Sequence, residues 1–268
     1  MSNNNIKELS IQVNLNGLSF CILNRTSNTI EYLNTITFES KLTPFDALNR
    51  MKTELSANSR FLDTFNAVNV IHQNELSTLV PKDLYNEDQK ANYLKFNAKI
   101  LKTDFVTHDD ISVNQSVNIY IPYVNINNYI FDTFGEFTYK HSSTILIDTI
   151  LQRSQSESKP MIYVHVNETM LEILVIDKGQ LQLFNVFEYY SKEDFIYYIL
   201  FVYEQLELDV ETAPIHISGK IEKDDELFKL IYTYVRHVSI SDTTSSFNFT
   251  EAEKQKDFHK HFLILNSF

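Results

Sequence analysis

From Glu8 onward, apolar Leu9, Ile11 and Val13 alternate with polar Ser10, Gln12 and Asn14, the period of a strand with one buried face. Asn16-Gly17 marks a tight turn, Leu18 to Leu23 a second strand, Arg25 to Thr29 a polar turn, and Ile30 to Phe38 a third strand. A helix start follows: Thr43 as N-cap, Pro44 at the first helical position and Asp46 three residues after the cap, leading into Ala47-Leu48-Asn49-Arg50-Met51. Strands are expected at Ala67 to His72, Ser77 to Pro81, Val117 to Pro122 and Phe137 to His141, and helices at Glu87 to Leu94, Asn125 to Phe134 and Ser143 to Gln152.

Past Lys159-Pro160 the order recurs. Ile162, Val164 and Val166 alternate with Tyr163, His165 and Asn167, and one constant offset aligns Leu9 with Ile162, Ile11 with Val164, Val13 with Val166, Asn14 with Asn167 and Leu18 with Leu171. With two residues fewer in the next turn, Ile30-Glu31-Tyr32-Leu33-Asn34 falls on Leu181-Gln182-Leu183-Phe184-Asn185, and Ser191 with Asp194 opens a second capped helix. An internal duplication explains the parallel; so does the small residue alphabet shared by all strand meanders and capped helices. Beyond it lie a strand at Ile215 to Ser218 running into Gly219, a helix at Asp224 to Arg236 and a strand at His237 to Ser241. A meander followed by alternating helices and strands predicts an α/β chain with mixed sheets and helices on their faces. The Ser-rich run from Arg153 to Pro160 is the expected boundary between two lobes.

The 268-residue length suits two such lobes, and 43% hydrophobic residues with 35 aromatics (15 Tyr, 20 Phe) supply packed interiors. A formal charge of −12 disfavours broad binding to nucleic acid, and no run of five or more basic residues marks an anionic-lipid patch. The single cysteine, Cys21, sits in the apolar run Leu18 to Leu23, where a small buried hydrophobe is expected. Met1 to Asn5 carry neither a basic nor an apolar leader region, and the longest apolar stretch, Phe195 to Tyr203, is far below a membrane span, so a cytoplasmic protein without membrane insertion is expected. That stretch is apolar all round at helical period. It predicts burial between the lobes or against both sheets; a partner or self-association surface is the other reading.

The string Ser77-Thr78-Leu79-Val80-Pro81-Lys82-Asp83-Leu84-Tyr85, followed by Tyr93-Leu94-Lys95-Phe96-Asn97, resembles the uncharacterised bacterial family labelled domain of unknown function 3822. The resemblance covers essentially the whole chain. It implies an actin-like ATPase fold: two ribonuclease-H-like lobes, at residues 1–156 and 157–268, each a mixed sheet with an antiparallel three-strand meander and flanking helices. In ATP-using members of the actin, Hsp70 and sugar-kinase superfamily, the first hairpin of each lobe carries an Asp for magnesium and a nearby Gly for phosphate, and a Gly-pair turn seats the adenosine. Carried onto this chain, the corresponding positions are Asn14 and Gly17, Asn167 and Thr169, and Gly219 with Lys220. Asn replaces Asp in both hairpins, Met170 stands where a phosphate needs close backbone approach, and only 4 Gly occur in the chain. Loss of ATP hydrolysis is therefore expected, with no cofactor. The alternative is a divergent nucleotide-binding protein that still takes ATP with Mg between those six residues.

Other candidate chemistry is thin. Ser218-Gly219-Lys220 lacks the earlier Gly and the following Ser/Thr of a phosphate-binding loop. Asp257, His259 and His261 have strand-like spacing for a metal, although a solvated C-terminal segment explains them as well. The pairs Asp109-Asp110 and Asp224-Asp225 show no neighbour that would raise a pKa, and the second pair favours a helix dipole. No enzyme signature emerges. The expectation is a non-catalytic protein that acts by binding an unknown partner protein or itself.

Overall fold

The computed structural model describes residues 5–241, 247–254 and 257–268. Met1 to Asn4, most of the stretch read as lacking a leader, lie outside the described residues. The first meander is β1 (Lys7–Asn14), β2 (Gly17–Asn24) and β3 (Thr29–Thr37), followed by α1 (Pro44–Ala57) and by β4 (Ala67–His72), which runs parallel to β1 with Leu9 opposite Val68. β5 (Ser77–Pro81), α2 (Lys90–Lys95), β6 (Thr107–Ile111) and β7 (Ser116–Tyr120) form a small satellite in which the strands pair as β5-β7-β6. α3 (Val124–Phe134), β8 (Thr138–His141, parallel to β4) and α4 (Ser142–Arg153) complete the first half.

The second half repeats the plan: β9 (Met161–Val166), β10 (Met170–Asp177), β11 (Gln180–Glu188), α5 (Lys192–Gln205), β12 (Ile215–Gly219), α6 (Glu226–Tyr234) and β13 (Val238–Ile240). Its sheet runs β11-β10-β9-β12-β13, strand for strand the order β3-β2-β1-β4-β8 of the first. Both long helices start as the caps predict: Thr43 Oγ1 accepts from Asp46 N at 3.2 Å, and Ser191 Oγ from Asp194 N at 3.1 Å. The chain then returns to the first half. β14 (Asn248–Phe249) pairs with β3, and α7 (Phe262–Leu265) inserts between the sheets.

Beside a small core of the satellite around Val80, Leu94, Val117 and Ile119, three apolar layers result. One lies between the first sheet and α1 and α3, around Leu9, Ile11, Phe20 and Met51. A second lies between the second sheet and α5 and α6, around Val164, Phe195, Ile199 and Ile231. The third joins the inner faces of both sheets through α4 and α7, and Cys21 is buried there as a small hydrophobe.

Three expectations change. Helix α5 is not sandwiched between lobes: Phe195, Ile199, Val202 and Tyr203 are buried on the second sheet, whereas Tyr197 is exposed and stacks with Phe201. Its outer side, with Lys192, Glu193, Tyr197, Glu204 and Gln205, is exposed and packs on no second sheet. Nor is the C-terminal segment solvated, because its apolar Phe262-Leu263-Ile264-Leu265 completes the third layer. Asp109 lies on β6, a strand that alternation did not reveal, and burial raises its pKa against the opposing pull of hydrogen bonds from His141 N, Thr144 Oγ1 and Tyr120 Oη.

Candidate functional site

The hairpin ends of β1-β2 and β9-β10 meet the C-terminal ends of β4 and β12 at one cavity. Its walls carry Asn14, Gly17, Asn167, Gly219 and Lys220, five of the six residues singled out above. Thr169 is not on the wall; its carbonyl accepts from Tyr189 N at 2.9 Å, as Asn16 O accepts from Phe38 N at 2.8 Å in the first hairpin. Gln12, Ser19, Thr35, Gln73, His165 and Glu168 join the lining. Several were detectable in the repeat itself, because the offset that puts Leu9 on Ile162 also puts Gln12 on His165 and Ser19 on Glu172.

The two glycines answer to their own backbone. A Cβ on Gly219, whose φ is +88°, would lie 2.1 Å from Val166 O, and one on Gly17 would lie 2.5 Å from Ile36 O. Asn14 serves its own turn, its Oδ1 accepting from Asn16 N at 2.7 Å. Asn167 instead looks outward. Its Oδ1 accepts from Gln73 Nε2 at 2.9 Å, while Gln73 Oε1 accepts from Gln12 Nε2 at 2.8 Å. Asn167 Nδ2 reaches Glu172 Oε2 at 3.4 Å, and Ser143 Oγ donates to Glu172 Oε1 at 2.9 Å. A ladder of amides therefore runs from the first sheet into the second.

Gln73 and Lys220 are equivalent in the two halves: Gln73 N donates to Val13 O at 2.9 Å and Lys220 N to Val166 O at 2.8 Å. Each side chain crosses to the opposite half. Lys220 is ion-paired with Glu168 and its Nζ donates to Thr37 Oγ1 at 3.2 Å. The direct contacts leave a cavity of about 40 Å³. That is room for a few waters, against the roughly 300 to 1,000 Å³ of small-ligand pockets. A more open cavity of about 540 Å³ adjoins it, lined by Asn34, Thr35, Thr37, Lys220, Lys260 and His261 among others.

The charges within reach are muted. Burial pushes the Glu172 carboxyl up to about 7, with the bonds from Ser143 and Asn167 pulling the other way. Burial lowers His165 to about 4, so its ring is neutral beside Ser218 Oγ, 2.9 Å from Nδ1. Lys220 is also lowered by burial, although Glu168 pairs with it. Among the described residues no group of three or more His, Cys, Asp or Glu is placed to hold a metal. His259 and His261 sit on a tight 3-10 turn at Phe258–His261 and point apart: His259 Nε2 meets Ile221 O at 2.7 Å, and His261 Nδ1 lies 3.3 Å from Thr35 Oγ1. The strand spacing expected for a metal pair is absent there.

Two sheets of one strand order enclosing a cleft define an actin-like ATPase fold, and the solved structures agree. A Bacteroides thetaiotaomicron protein with an actin-like ATPase fold and unknown function superposes with a TM-score of 0.76 and 21% identity, over 98% of this chain and 97% of its own. A chain of the PilM-PilN type IV pilus biogenesis complex superposes with a TM-score of 0.59 and 10% identity, over 97% and 95% respectively. At such identities the likeness shows the fold alone. The chain belongs to the family described as protein of unknown function (DUF3822), whose sequence profile matches residues 1–238. No curated protein matches it.

Proposed function

We propose that this chain is a non-catalytic protein of the actin-like ATPase fold that works by binding another protein. The observation that carries the reading is the amide ladder Gln12–Gln73–Asn167–Glu172, which bridges with protein side chains the cleft that the resemblance assigns to a nucleotide. Magnesium needs anionic oxygens. Asn14 and Asn167 are neutral, Glu168 is paired with Lys220, and burial favours the neutral form of Glu172. The shared fold with a chain of a pilus biogenesis complex supports use of this scaffold in protein assembly. No helix among the described residues is long and apolar enough to cross a membrane.

A second reading, a divergent nucleotide-binding protein, draws on the 540 Å³ cavity with Lys220 and Lys260 on its wall. Of Asn14, Gly17, Asn167, Thr169, Gly219 and Lys220, the six positions that the resemblance gives to ATP with Mg, Lys220 lines that cavity. Thermal unfolding with and without Mg-ATP separates the two. Binding to the folded state at 100 times the dissociation constant adds about 2.7 kcal/mol of stability. An unchanged melting temperature at millimolar Mg-ATP is expected; a rise of several degrees would establish the second reading and refute the first.

A further inference from the structure

The segment that follows the second sheet behaves as an occupant of the space between the two halves. β14 lies along β3, with Asn248 opposite Thr29 and Phe249 opposite Ile30. The turn at Phe258–His261 rests against β12, where Lys260 is ion-paired with Glu222 and His259 Nε2 donates to Ile221 O. Next comes α7, packed on β1, β2 and α4, with the Phe262 ring centroid 6.3 Å from that of His165. Phe262, Leu263, Ile264 and Leu265 are 0%, 1%, 0% and 5% exposed, so this four-residue helix has no solvent face. Beyond it Ser267 Oγ lies 2.7 Å from Ser10 Oγ, and Arg153 donates to Asn266 Oδ1 at 2.9 Å with its guanidinium 5.1 Å above the Phe262 ring.

A helix this short has no stability of its own in water. Its order comes from the groove. The pattern, an apolar run inserted on all sides with polar anchors at each end, is how a groove holds a peptide helix. Outside the two-residue pairing of β14, its anchoring is by side chains and single hydrogen bonds, so the tail can leave without unzipping a sheet.

We propose that Asp257–Phe268 is a tethered self-ligand of a peptide groove between the two halves, and that the groove's partner is a protein segment of the same chemistry. That segment has a cation ahead of a short apolar helix, with amide and hydroxyl groups after it. The partner enters by displacing the tail. The choice of a protein partner rests on the protein-binding reading above; the tail's role as self-ligand does not.

The test uses the full chain and a labelled synthetic peptide of residues 257–268, followed by fluorescence anisotropy. Leu263→Ala loosens the resident tail and raises the open fraction, so peptide affinity should rise roughly tenfold or more over wild type. Ser10→Cys with Ser267→Cys, oxidised to a disulfide, locks the tail and should abolish binding until it is reduced. In wild type, native-state hydrogen exchange should show the amides of 262–265 opening well below the level of β1 and β9. The proposal is overturned if a folded Leu263→Ala variant takes no peptide, or if the α7 amides exchange only with global unfolding. Should Leu263→Ala fail to fold, Ser267→Ala replaces it with the same two outcomes. A thermal shift by Mg-ATP would sink the protein-binding reading while leaving the peptide result untouched.

Discussion

Gln73 and Lys220 hold the same position in the two sheets and reach in opposite directions, Gln73 to Asn167 and Lys220 to Thr37. Equivalent residues thus bridge the cleft from both sides, one by a buried neutral amide and the other by a partly exposed cation. Burial decides their weight: hydrogen bonds shielded from water leave costly orphans when broken, whereas an exposed ion pair is screened.

Gln73→Ala leaves Asn167 Oδ1 and Gln12 Nε2 without their partners inside the cleft. A loss of about 1 to 3 kcal/mol is expected in urea unfolding. Lys220→Ala, by contrast, removes a pair with about a third of its side-chain surface exposed and should cost roughly 1 kcal/mol or less. Equal losses for the two would refute the ordering.

Gly219→Ala combines positive φ with a Cβ 2.1 Å from Val166 O. The backbone of two strands would have to part, so a loss of about 4 kcal/mol or more, or no soluble protein, is expected. Gly135 also has positive φ, +81°, but nothing lies within 4 Å of its would-be Cβ. Gly135→Ala should cost only about 1 to 3 kcal/mol, from backbone strain alone, with thermal melting used to read both variants.

Glu172 has a folded pKa near 7 against an ordinary 4.5. The folded state therefore binds the proton more tightly. Its stabilising contribution is full below about pH 4.5 and is lost as pH rises to about 7. His72 and His165, lowered to about 4, and His141, lowered to about 3, act in the opposite direction: each destabilises the fold as pH falls from 6.5 toward those values. Wild-type stability should peak near pH 6 to 7. Glu172→Gln isolates one contribution. The stability difference, wild type minus variant, should fall steadily from pH 4.5 to 7; a flat difference would show that the carboxyl is not held neutral.

The two sides of α5 should respond differently to substitution. Phe195 is fully buried on the second sheet, and Phe195→Ala is expected to cost about 3 to 5 kcal/mol. Tyr197, 59% exposed, should tolerate Tyr197→Ser within about 0.5 kcal/mol. Chemical denaturation of both variants checks the orientation of the helix.

Much of the architecture is local, and so is legible in the residues. The alternation through Leu9, Ile11 and Val13 and through Ile162, Val164 and Val166, and the caps at Thr43 and Ser191, act over a few residues, and the structure places strands and helices there. The neutral Asn14 and Asn167 were likewise legible, being matched positions in two aligned strings. β6 was hidden because Thr107-His108-Asp109-Asp110-Ile111 has no apolar period; it is a strand because β7 pairs with it and Tyr120 and Thr144 satisfy Asp109.

What only the tertiary structure decided is which polar groups meet. Gln73 and Asn167 are 94 residues apart, and Ser10 and Ser267 are 257 apart. Nothing in the local pattern around any of them specifies a partner at that range. The sequence by itself determined two similar sheets and the neutral Asn14 and Asn167 at the matched positions of their hairpins. Packing decided that the cleft between them is bridged by amides and that the chain's own C-terminal helix fills the space beside it, because burial and hydrogen-bond satisfaction are properties of surfaces brought together and not of the strands that carry them.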